Sequence, residues 1–155
     1  MSRIACLLRL AYESAKYALR TGGKHMKYIL LMTGTKAGVD TYRAWTKEDI
    51  GKHMARLKSL VKDLRESGEF VGDQGLTGPE EAKVVRGETK GMPITDGIFP
   101  ESKEFLLGYW IVDVATPERA YAIAGLLSTL PGAGGMPTNM PIEVRELASH
   151  PLKWS

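Results

Sequence analysis

His53, Asp73 and Asp96 are the residues of this chain whose types suit proton transfer. An unperturbed histidine titrates at about pH 6.5, so an imidazole in a cleft can both accept and return a proton near neutrality. A carboxylate beside it would orient the ring and stabilise its charged form, which is enough equipment for a lyase or isomerase that needs no cofactor. Spacing constrains each candidate. His53 lies one position before Met54 and four before Leu57, at the edge of an apolar stripe, where the ring can face a cleft or simply pack. Asp96 precedes Gly97, and Asp-Gly is a turn signal in its own right, because the carboxylate accepts local amide bonds while glycine takes the positive φ. Asp96 is therefore a turn former or the orienting group for His53, and Asp73 is the alternative partner. Phe99, Lys103, Tyr109 and Trp110 are candidates to line the same pocket. Strand neighbours point to opposite faces, so only one of the two aromatic rings at 109 and 110 can reach it.

Other chemistries find less support. Cys6 stands alone and no Cys/His cluster has zinc-binding spacing, so neither a disulfide nor a metal site is expected. The glycine-rich stretches Gly34–Gly38 and Gly132–Gly135 lack both the Lys-Ser/Thr ending of a phosphate loop and GxGxxG spacing, and no cofactor is expected. The apolar runs Ile4–Leu8 and Ile29–Met32 are far shorter than a membrane span, which needs about 20 residues, so a soluble, cytoplasmic protein is expected. The formal charge of +3 is unevenly distributed. Residues 1–25 carry Arg3, Arg9, Lys16, Arg20 and Lys24 against Glu13, which leaves residues 26–155 at −1. A basic nucleic-acid-binding face is therefore not expected on the rest of the chain.

The elements that must position these residues follow from pattern. With 43% apolar side chains, 155 residues support one hydrophobic core. Residues 1–25 have helical apolar spacing and form an N-terminal extension or docked arm, since a buried strand begins at Met26. Residues 34–45 predict a loop. Thr46 then caps a helix whose stripe is Ile50, Met54, Leu57, Leu60, Val61 and Leu64, and Gly68 ends it. Phe70–Gly72 and Ala82–Arg86 suggest a hairpin with a wide loop, followed by Ile94–Phe99 and the strand Leu106–Val114. Thr116-Pro117 opens a second helix, Pro131–Pro141 is a loop, and Ile142–Leu147 alternates as a final strand. This order predicts an α+β fold: a split βαβ sheet of ferredoxin-like type with an extra hairpin strand. Val71, Val84, Tyr109 and Ile111 are too apolar for a solvated face, so a homodimer is expected.

Four blocks together resemble the YCII-related, or DGPF-domain, family: Met26–Leu31, Thr95-Asp96-Gly97-Ile98-Phe99-Pro100-Glu101-Ser102-Lys103-Glu104, Gly108–Val114 and Ile142–Arg145. They span residues 26–147, leaving a tail at 148–155, and Ile98 stands where the family's motif has proline. The resemblance implies a dimeric α+β barrel with a cleft by the sheet and, for most members, no established activity. In one branch a histidine on the first helix with a nearby aspartate is regarded as a catalytic pair, and a relative serves as a dehydrochlorinase domain. Lys52–Leu57 resembles that histidine block, so the role falls on His53, while the aspartate stays open between Asp96 and Asp73. The expected function is a small-molecule pocket with a His-Asp pair. The alternatives are a non-catalytic ligand-binding module linked to transcription, or a structural dimerisation domain.

Overall fold

Alternation along two strands decides which way the domain faces. In β5 (Phe105–Val114), Trp110, Val112 and Val114 are buried while Tyr109, Ile111 and Asp113 point to the other side. In β1 (Met26–Gly34), Tyr28 and Leu30 are buried. The two strands pair antiparallel with Leu30 opposite Trp110 and Tyr28 opposite Val112, so both buried sets lie on one face. β2 (Phe70–Gly75) pairs outside β5 and β6 (Ile142–Glu146) outside β1, giving the order β2-β5-β1-β6 with every pair antiparallel. The computed structural model describes residues 25–87, 94–97 and 104–148, except for the side chains of residues 86 and 94–97. The expected N-terminal helix and residues 149–155 of the expected C-terminal tail lie outside these ranges.

Three helices complete the described fold. α1 (Lys36–Arg43) starts at Thr35, whose hydroxyl accepts the Gly38 amide hydrogen bond. α2 (Lys47–Glu66) starts at Thr46 and ends before Gly68, which takes φ +76°, the left-handed stop that glycine supplies without steric cost. α3 (Pro117–Ser128) has Thr116 as its cap and proline in its first turn. Leu60 and Leu64 of α2 and Ala120, Ile123, Ala124 and Leu127 of α3 join the buried strand residues in a single core. Each wholly buried side chain there, such as Leu30, Leu64 or Ile123, contributes about 1.5–3 kcal/mol. No helix among the described residues is long and apolar enough to cross a membrane.

The structure corrects five expectations. The α+β sheet with its split βαβ arrangement is present, but it is open: β2 and β6 are both edges, so the expected barrel does not form. The predicted hairpin does not pair as expected, because Phe70–Gly75 joins β5 instead. The extra hairpin is a separate two-stranded sheet of β3 (Lys83–Arg86) and β4 (Ile94–Gly97), not an added strand of the main sheet. Asp96 and Gly97 consequently lie in a paired strand, opposite Val84 and Lys83, and not in a turn. Residues 36–43 are helical where a loop was expected. α1 buries no residue, and the Lys36–Asp40 and Arg43–Asp40 ion pairs lie one turn apart along its surface.

One ion pair joins three elements at the far end of the core. Arg119 at the start of α3 donates from Nε and Nη2 to the two carboxylate oxygens of Glu69, both at 2.7 Å, and the Ser67 hydroxyl donates to the same carboxylate at 2.7 Å. Burial alone would raise the Glu69 carboxyl; the hydrogen bonds from Arg119 and Ser67 outweigh it and hold the group below its ordinary value of 4.5. The stabilisation from a depressed carboxyl is complete above the ordinary value and is lost as pH falls through the lowered one. Glu69→Gln should cost about 1.5–3 kcal/mol at neutral pH by urea denaturation. The gap to the parent protein should close as pH drops below 4.5.

Candidate functional site

His53 lies in the N-terminal half of α2, half-buried, with Nδ1 3.0 Å from the main-chain carbonyl oxygen of Pro131. A carbonyl can only accept, so Nδ1 carries the hydrogen, and in the neutral ring the lone pair is at Nε2. The tautomer is assigned from that partner. Trp45 meets the imidazole edge-on, with ring centroids 5.5 Å apart at 66°, and Tyr42 tilts against Trp45 at 4.9 Å. Gly132 admits the indole: a Cβ there would come within 3.2 Å of Trp45 Cζ2 and 3.1 Å of Thr138 Cγ2.

One turn before His53, Asp49 meets the same loop. The Thr46 hydroxyl accepts from the Asp49 amide at 3.1 Å and donates to Asp49 Oδ2 at 2.7 Å. Asp49 Oδ1 accepts from the Gly134 amide at 3.0 Å. The Thr46 hydrogen bond outweighs a smaller desolvation effect and, with the Gly134 amide and the nearby Lys52 charge, holds the Asp49 carboxyl below its ordinary value of 3.8. Gly134 has φ +62°, a conformation that favours glycine and aims its amide at the helix.

The other residues expected at the site are scattered. Asp73 is exposed on β2 opposite Trp110, and among the described residues His53's polar partner is the Pro131 carbonyl, not the Asp73 carboxylate. Asp96 lies in β4, with its side chain outside the described positions, as are Phe99 and Lys103. Trp110 is core, 6% exposed, and Tyr109 is half-buried on the opposite face of the sheet. A His-Asp ion pair does occur, but it joins His25 to Asp113, with His25 Nδ1 3.4 Å from Asp113 Oδ1. That oxygen is buried and accepts no directed hydrogen bond. It lies where β1 begins and β5 ends, beside Glu69. From His53, α2 runs a further 13 residues toward that end, about 20 Å of helix.

Comparison with known proteins places the fold. The YCII-related domain matches residues 26–130, from the first residue of β1 to just past α3. The chain belongs to the YCII-related domain family. An uncharacterized protein of Rhizobium meliloti (strain 1021) is similar to it, 30% identical over 105 residues that cover 68% of this chain and 81% of the relative. The YCII-related match stops one residue before Pro131, so the segment that supplies His53's hydrogen-bond partner follows the matched region.

Trp45, Asp49 and Pro131 are the members of the site that sequence reasoning missed. For Asp49 a signal was present: it stands four residues before His53, so the two share one helix face. Asp49 also takes part in the helix start, donating its amide hydrogen bond to the Thr46 hydroxyl and accepting from that hydroxyl on its carboxylate. Nothing local marks Pro131, which lies 78 residues from His53.

Proposed function

We propose that this YCII-related domain binds a small molecule beside His53 and exchanges a proton with it through Nε2, as a lyase or isomerase without a resident cofactor does. The observation that carries the reading is the Nδ1 hydrogen bond to Pro131. It leaves Nε2 as the basic atom of an imidazole whose rotation Trp45 restricts. When Nε2 takes a proton from a carbon acid, the ring becomes cationic and its Nδ1–H bond to the carbonyl becomes charge-assisted, so it strengthens as the charge develops. The same Nε2–H then returns the proton to a second carbon, giving isomerisation, or to a departing group, giving elimination.

The sheet face opposite the helices supports a homodimer. Ile29 and Leu31 of β1 and Tyr109 and Ile111 of β5 are half-buried there, in register across the central pair. This face also favours a second reading, a domain whose role is dimerisation.

Two experiments separate these readings. Small keto acids and β-substituted carboxylic acids incubated with the protein in D2O should take up deuterium, detected by mass spectrometry. His53→Gln should slow that uptake by about 10²–10⁴-fold. Absence of uptake with every class, or an equal rate in the variant, contradicts the acid–base reading. In light scattering after size exclusion, the full chain should run as a dimer and Ile111→Glu as a monomer with an unchanged circular dichroism spectrum. A monomeric parent protein contradicts the dimer.

A further inference from the structure

The loop after α3 is a closed unit. Pro131 and Pro137 form a bridge, the Gly132 amide donates to the Met136 carbonyl at 2.6 Å, and the Gly135 amide donates to the Gly132 carbonyl at 3.0 Å. Its base is tied down by the Thr138 hydroxyl on the Ser128 carbonyl at 2.9 Å and by the Ser128 hydroxyl on the Met140 carbonyl at 2.7 Å. Such a unit moves as a body, so whatever anchors it to α2 also sets where the Pro131 carbonyl stands. Among the described residues, two hydrogen bonds join it to α2, from Asp49 and His53, one helical turn apart. The His53 bond meets the loop at Pro131, its first residue, and the Asp49 bond holds it at Gly134, its middle. The Asp49 carboxylate is already fixed by Thr46 on its other oxygen, so it presents a rigid acceptor to Gly134.

We propose that Asp49 is a positioning residue for His53: by holding the Gly134 amide, it places the Pro131 carbonyl where it selects the Nδ1–H tautomer and leaves Nε2 free to act. The proposal rests on the reading of His53 as the proton-transferring group. Its test reads a tautomer and not turnover, so the two can fail separately.

The test is the long-range proton–nitrogen spectrum of the ¹⁵N-labelled full chain at about pH 8, above the ordinary histidine range. His53→Gln identifies the His53 resonances by their loss. In the parent protein, Nδ1 should show the protonated shift and Nε2 the unprotonated one. Asp49→Ala, which places a good helix former in the first turn of α2, should move both nitrogens toward averaged or reversed shifts. It should also raise amide exchange at Gly134 about tenfold, as loss of one charge-assisted hydrogen bond implies. Asp49→Asn retains an acceptor oxygen and should restore the parent pattern. Thr46→Ala frees one oxygen of the Asp49 carboxylate but keeps the Asp49–Gly134 bond, and it should shift the tautomer less than Asp49→Ala does. An unchanged spectrum in Asp49→Ala, or an equal change in Asp49→Asn or Thr46→Ala, overturns the proposal.

Discussion

The antiparallel pairing of β1 with β5 is the constraint on which the rest of the structure depends. Because Leu30 stands opposite Trp110 and Tyr28 opposite Val112, both strands present one dry face, and α2 and α3 must cover it. A one-residue slip would exchange that face for the one carrying Ile29, Leu31, Tyr109 and Ile111. With the helices fixed, the chain leaving α3 returns toward β6 past the N-terminal half of α2. Pro131 and Gly134 then meet His53 and Asp49. The candidate site is thus a consequence of core packing, although none of its hydrogen-bonding side chains belongs to the core.

A main-chain carbonyl in place of a carboxylate changes what His53 can do. A carboxylate would attract the imidazolium with a full charge, whereas the Pro131 carbonyl offers a dipole. The carbonyl still selects the tautomer with the hydrogen on Nδ1. The family's expected His-Asp pairing is thereby replaced, among the described residues, by a chain running from Thr46 through Asp49 and the loop to His53. The ion pair of His25 with Asp113 has the expected residue types in a different place, at the mouth of the Glu69–Arg119 cluster.

Local signals were legible and long-range ones were not. Thr46, Thr116 and Gly68 mark helix ends through contacts within four residues, and α2 and α3 lie where those residues place them. β5 was legible because Leu106–Val114 is rich in β-branched and aromatic residues. The β-like runs at 70–72 and 82–86 are too short to reveal their partners, and pairing went to β5 and β4 through contacts no local pattern encodes. α1 was missed because Gly38 interrupts it and no apolar stripe marks it, although Thr35 and the Lys36–Asp40 spacing were visible. At the site, His53 could be named from its type and helix position. Its partner could not, because any carbonyl of the loop would have satisfied the sequence equally well.

Neutron diffraction from deuterium-exchanged crystals at about pH 8, where an ordinary histidine is neutral, would show the proton that the account turns on. The expected result is a deuteron on His53 Nδ1, directed at the Pro131 oxygen, and none on Nε2. A deuteron on Nε2 with a bare Nδ1, or a ring turned away from Pro131, would contradict it.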